Sequence, residues 1–274
     1  MPLPLCCYLT EFAVRKITSL CLVFLLLVSC KEDKKEEKTE TSLTFQTKSL
    51  SKSLDDCTPE NGNCTFISLT FPVASGADYQ AEKINREIEK FLVSIVDYQE
   101  EEKIEKPEEL AEDFIANYKE TAEEFPEYEL PWEATVTGKI IYQDADIISM
   151  EFDTDMFTGG AHGYRSTNYL NFDRKTGKKL TATDLFKDDF KKFVEKDFRK
   201  KYEIPSDSNI NSTGMFFEDE KFRLPENIGI SQKKILLHYN AYEIASYAAG
   251  NFNLQYPKKE IQQFLKISDS SMTR

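Results

Sequence analysis

Between Ala134 and Phe172 the chain alternates apolar and polar residues three times in succession, and no other feature limits the possible folds so sharply. Ala134, Val136, Gly138, Ile140 and Tyr142 share one side of the first segment; Ile148, Met150 and Phe152 share one side of the second; Ser166, Asn168, Leu170 and Phe172 share one side of the third. A period of two is the pattern of a strand with one buried face. Asp144-Ala145-Asp146 separates the first pair and the glycine-rich loop Gly159-Gly160-Ala161-His162-Gly163 the second. Such short connections join antiparallel neighbours, so the segment predicts a meander. Asp173-Arg174-Lys175-Thr176-Gly177-Lys178 then turns the chain again, with Gly177 placed for a positive φ.

The flanks supply helices. Ile67, Leu69 and Phe71 alternate in a strand that Pro72 ends, and from Tyr79 onward Ile84, Ile88, Phe91, Leu92 and Ile95 form one apolar stripe at helical spacing. Pro107 starts a second helix whose inner face carries Leu110, Phe114, Ile115, Tyr118, Ala122 and Phe125. A third helix is expected near Asp184, with Phe186, Phe190, Phe193, Val194 and Tyr202 inward, and an exposed loop from Pro205 to Thr213. Ile235, Leu237 and Tyr239 alternate, as do Phe252, Leu254 and Tyr256, and a short helix from Lys258 to Ile267 closes the chain. Helices beside an antiparallel sheet mean an α+β fold. The expected organisation is a leader at 1–29, a lipidated cysteine and disordered tether at 30–61, α+β subdomains at 62–158 and 159–268, and a tail at 269–274.

Arg15 and Lys16 precede an apolar run from Ile17 to Val28, shorter than the roughly 20 residues a bilayer span needs and suited to a secretory signal. Leu27-Val28-Ser29-Cys30 resembles a bacterial lipobox, in which Cys30 takes the lipid and anchors the chain to a membrane, with the outer membrane favoured; a signal-anchor or ordinary cleavage site is the alternative. The charged and Ser/Thr-rich stretch from Lys31 to Leu54 has little apolar surface to offset ordering entropy and reads as a tether. Of the remaining cysteines, Cys57 and Cys64 flank turn residues Pro59 and Asn61-Gly62 and are expected to pair. Closing so short a loop contributes about 2.5 kcal/mol in the chain-entropy account. A metal role for the two lacks further ligands nearby.

The net charge is −13, and losing Glu11, Arg15 and Lys16 with a leader makes the remainder slightly more acidic. Nucleic-acid binders need clustered Lys and Arg, so that class is excluded. A cationic partner, or solubility alone, fits the balance. His162 with Glu151, Asp153 and Asp155 is the best constellation for acid–base work or metal binding. Alternation puts those carboxylates on the solvent face. The other reading makes Gly159, Gly160 and Gly163 the makers of a wide turn that His162 fixes by bonding to backbone. No cofactor or metal motif is present. His238 lies opposite the apolar face of its strand as a polar strand residue, while Tyr239, Tyr242 and Tyr247, with Trp132, are candidates for an aromatic platform for sugar or peptide, core packing being the alternative. Gly160 and His162 complete the candidate ligand-binding set.

Thr158–Gly163 (TGGAHG), Asn171–Phe186 (NFDRKTGKKLTATDLF) and His238–Gly250 (HYNAYEIASYAAG), in this order, resemble the extracytoplasmic domain family shared by the anti-sigma-V factor RsiV and the peptidoglycan deacetylase PdaC. The resemblance covers roughly Thr65 to Ile267. It implies a PdaC-like first part, an RsiV-like second part, and contact with an envelope ligand such as a lysozyme-like protein or peptidoglycan. The deacetylase's His-x-x-x-His metal motif has no counterpart, since His162 and His238 are the only histidines. The expectation is therefore a binding module, with hydrolysis of envelope polysaccharide as the alternative.

Overall fold

The computed structural model describes residues 42–97, 104–127 and 130–267. The leader, Cys30 and the tail lie outside the described residues. Five strands form the first sheet in the order β1 (Thr44–Ser53), β2 (Phe66–Ser75), β3 (Glu133–Gln143), β4 (Ile147–Phe157) and β5 (Tyr164–Asp173). β3, β4 and β5 are the expected antiparallel meander. β2 and β3 run parallel, which requires a crossover, and α1 (Asp78–Val96) with α2 (Pro107–Glu124) supplies it.

The inner face of this sheet and the two helices share one core. Ile84, Ile88 and Leu92 of α1 and Leu110, Phe114 and Ile115 of α2 pack on Ile67, Leu69, Val136, Met150 and Phe152. Each such side chain contributes about 1.5–3 kcal/mol when fully buried. The Asn85 side chain ties α1 to β2, accepting from Ala74 N at 2.8 Å and donating to Ala74 O at 3.0 Å. Phe152 lies over Gly138, its cross-strand partner, at a spot where a Cβ would come within 2.4 Å of the ring. Trp132 is buried against Phe114 and Tyr118, so it belongs to this core and not to a platform.

Part of the expected tether is a strand. β1 pairs antiparallel with β2 over its whole length, from Thr44 opposite Ser75 to Ser53 opposite Phe66. Its order comes from main-chain pairing and from Lys48 and Lys52 reaching Glu108 and Glu112 on α2, contacts to which apolar periodicity is blind. At its end, Cys57 and Cys64 form a disulfide with Cα atoms 5.6 Å apart.

The second half has its own core. α3 (Ala182–Leu185) opens on a capping box in which Thr181 and Asp184 satisfy each other's backbone, and α4 (Asp189–Lys201) buries Phe190, Val194 and Phe198. The single helix expected near Asp184 is thus two, broken where Phe186 bridges Leu265. The expected helix from Lys258 to Ile267 is a 3-10 turn at Gln262–Phe264 for the same reason: that bridge holds the backbone extended. The loop at 205–213 buries Ile210 beneath its polar residues. The second sheet is antiparallel, β6 (Asn227–Ile230), β7 (Lys234–Tyr239) and β8 (Phe252–Pro257), and β6, four residues long, was not marked by alternation.

The two sheets meet along β5, which carries the first sheet beyond the boundary expected at 158/159. Asn171 Nδ2 donates to Ile228 O at 2.6 Å, Asn240 Oδ1 accepts from Thr167 N at 2.9 Å, and Ser149 Oγ accepts from Ile230 N at 3.1 Å. These side chains satisfy an edge that would otherwise expose unpaired backbone. The Tyr169 ring lies on Gly229, where a Cβ would come within 2.8 Å of it. Burial, and then the Glu151 carboxylate, push the Tyr169 hydroxyl well above its ordinary range.

Candidate functional site

The seam between the sheets ends at two loops. The β4–β5 loop turns at Gly159 (φ 99°) and Gly160 (φ 87°), a conformation that L side chains rarely adopt. Gly163 passes so close to β4 that a Cβ would sit 3.0 Å from Met156 O. These constraints bring His162 out to solvent, with Nδ1 donating to Gly163 O at 3.0 Å. The carbonyl can only accept, so Nδ1 carries the proton of that bond, and Nε2 lies 3.4 Å from Tyr242 Oη.

The β7–β8 loop carries Tyr242 and Tyr247. Asn240 N donates to Glu243 Oε2 at 2.8 Å and Ala241 N donates to Asn251 Oδ1 at 2.8 Å, pinning both ends of the turn. Tyr242 between them has φ 70°, a strained value for an aromatic residue. Below the turn, burial raises the Glu243 carboxyl above its usual range, while the Asn240 N–H and Arg223 partly oppose the shift. Met215 bridges Ala245 and backs the loop.

Together these loops build an open cluster of three rings. His162 stacks on Tyr247 with centroids 4.0 Å apart and planes 10° from parallel; Tyr242 lies 6.2 Å from His162 and 5.4 Å from Tyr247. Tyr247 Oη donates to Gly163 O at 3.4 Å. Tyr242 is 54% exposed and Tyr247 38%. Beside the cluster a polar groove of about 400 Å³ is lined by Thr135, Thr137, Asp153, Asp155, Arg165 and Thr167, with Asn251 joining it to the tyrosine loop.

Of the sequence candidates, Gly160, His162, Tyr242 and Tyr247 come together here. Tyr239 does not: it is fully buried in the second core, and its hydroxyl donates to Arg223 O at 2.5 Å. Its place in the alternation with Ile235 and Leu237 already marked it as inward. Glu151, Asp153 and Asp155 sit on the outer face as expected, but Glu151 pairs with Lys139 at 2.7 Å, Asp153 accepts from Thr167 Oγ1 at 2.9 Å, and Asp155 pairs with Arg165 at 2.8 Å. Among the described residues no hydrogen bond joins them to His162, and no group of three or more His, Cys, Asp or Glu is placed to hold a metal ion. His238 is buried, with Nε2 2.9 Å from Asn240 Oδ1 and Nδ1 bonded to Asn253. Missed by sequence reasoning were Asn240 and Asn251, which set the loop, and the threonines of the groove, whose only signal was their position opposite an apolar face.

Two family descriptions match in tandem: deacetylase PdaC over residues 58–165 and a protein family of unknown function, DUF3298, over residues 183–259. The peptidoglycan-N-acetylmuramic acid deacetylase PdaC of Bacillus subtilis (strain 168) is 23% identical over 140 residues, which is 49% of this chain and 29% of that protein, so the chain spans under a third of the relative's length. Crystal structures of DUF3298 family proteins share the fold. One from Pseudomonas aeruginosa PAO1 has a TM-score of 0.54 at 19% identity, covering 83% of this chain and 96% of that one. One from Bacteroides fragilis NCTC 9343 has a TM-score of 0.56 at 17% identity, covering 83% and 95%. With a PdaC match leading through β4 into β5 and a DUF3298 match spanning the second sheet, this chain is a PdaC-like part followed by a DUF3298-like part.

Proposed function

We propose that the protein is a non-catalytic module of the bacterial cell envelope that binds cell-wall glycan through His162, Tyr242 and Tyr247 and the groove beside them. The open ring stack carries this reading. Aromatic faces cover the apolar side of a sugar, and the hydroxyls, carboxylates and guanidinium of the groove offer donors and acceptors around its rim. The positive φ of Tyr242 supports the same view, because strain of this kind is held where a side chain must be presented. Lipidation at Cys30 would tether the module to the membrane, and no helix among the described residues is long and apolar enough to cross one.

Hydrolysis is the weaker reading, because the carboxylates nearest His162 in sequence are paired with Lys139, Thr167 and Arg165. A cationic envelope protein such as a lysozyme is favoured by one observation, the net charge of −13. Retention of the purified protein on insoluble peptidoglycan, compared with Tyr247→Ala, tests the proposal. Retention that persists in 0.5 M salt and falls about tenfold in the variant is expected. Equal retention of both proteins sinks it. Retention lost with salt and restored on immobilised lysozyme favours the cationic partner instead.

A further inference from the structure

Strand register arranges the outer face of the first sheet into two unbroken polar rows. Ser51, Ser68, Thr135, Asp155 and Arg165 are successive cross-strand partners from β1 to β5, and so are Ser49, Thr70, Thr137, Asp153 and Thr167. All ten side chains reach solvent and none is apolar. Serine is not favoured by strand geometry, so three serines here are not explained by β propensity. Short side chains also keep the floor low, while the longer Lys139 and Glu151 stand beyond the rows.

We propose that this face is a track for a linear, uncharged, β-linked glycan, whose successive sugars cross successive strands and whose end rests on the ring stack of His162, Tyr242 and Tyr247. The inference deepens the glycan reading above and rests on it. Neighbouring strands are about 4.8 Å apart, so four steps span about 19 Å. A β-(1→4)-linked sugar advances by nearly the distance between strands, so roughly five sugars match five strands. Serine and threonine hydroxyls both donate and accept, Asp153 and Asp155 accept, and Arg165 donates, which is the mixture that sugar hydroxyls and amides require. Charge selects among polymers: a polyanion would meet Asp153 and Asp155, with Arg165 and Lys139 already paired to them. A protein interface would want an apolar, aromatic centre, and the rows have none. Continuity favours the same occupant, because the groove that holds Thr135, Asp155 and Arg165 also holds Asn251, which fixes the tyrosine loop.

The test is calorimetric titration of the intact protein with β-(1→4)-linked N-acetylglucosamine oligomers from two to six sugars. Affinity is expected to rise with each sugar to about five and then level off. Thr135→Val with Thr137→Val keeps β-branched strand residues and should lower pentamer affinity about tenfold. Ser68→Lys, farther from the rings, should do the same by raising the floor, and matching melting temperatures confirm that both variants fold. Affinity independent of length, or pentamer binding indifferent to both variants, overturns the track and leaves the ring stack standing. A length dependence that survives Tyr247→Ala overturns the ring stack's part and keeps the rows. No binding of any oligomer by the folded wild type overturns both.

Discussion

The two histidines lie in regions that meet at one seam and do opposite work. His238, inside β7, has both ring nitrogens bonded to asparagine side chains and is almost shielded from water. His162, in the β4–β5 loop, keeps one short bond to its own loop and spreads its ring against Tyr247 in solvent. The neighbouring tyrosines divide the same way, with Tyr239 sealed in the second core and Tyr242 and Tyr247 open. Residue type therefore says little here; whether backbone alternation or a constrained loop presents the side chain decides its role.

The sharpest break of that comparison is on stability. Tyr239→Ala removes a fully buried ring and its hydrogen bond to Arg223 O, and should cost about 3–5 kcal/mol in denaturant unfolding. His238→Ala leaves Asn240 and Asn253 short of a partner and should cost about 2 kcal/mol. His162→Ala should stay within about 0.5 kcal/mol of wild type, as exposed positions do. If His162→Ala unfolds as easily as His238→Ala, the loop histidine is structural and the division fails.

Binding should reverse the order. His162→Ala is expected to weaken glycan retention about fivefold, whereas His162→Phe, which keeps a stacking ring and loses the titratable nitrogens, should retain most of it. Loss in both variants would point to the imidazole's protons and revive an acid–base role. Tyr242→Gly sharpens the contrast within one residue: relief at φ 70° should add about 1 kcal/mol of stability while glycan affinity falls.

Much of this arrangement could be read from the chain before its structure. Alternation located β2, β3, β4, β5, β7 and β8, because each buries one face, and the 3.6-residue stripe located α1 and α2. It could not locate β1, whose order comes from pairing with β2, nor β6, where Ile228 and Ile230 flank a glycine chosen for the Tyr169 ring. Gly160, His162, Tyr242 and Tyr247 were legible as candidate ligand-binding residues. Their meeting was not, since it depends on asparagines 227, 240 and 171 zipping one sheet to the edge of the other. The outer rows escaped for a related reason: polar alternation reads as a solvated face, and only the register across five strands aligns it.

The smallest expected effect concerns pH and the Tyr242 turn. Burial raises the Glu243 carboxyl above 4.5, so between that value and its folded value the native state binds more protons than the unfolded chain. Stability must then fall as pH rises through that window and level off above it, the opposite of a carboxylate whose folded pKa is depressed. Glu243→Gln can still accept from Asn240 N without titrating, and should flatten this slope. Because Glu243 holds the tyrosine turn, protection of the Ala241 and Tyr242 amides, taken relative to intrinsic exchange at each pH, should fall across the window in the wild type and not in the variant, while protection around His238 in β7 stays constant. A slope that appears equally in β7 would mean that the seam opens as one unit, and that the buried and open histidines share a single cooperative element.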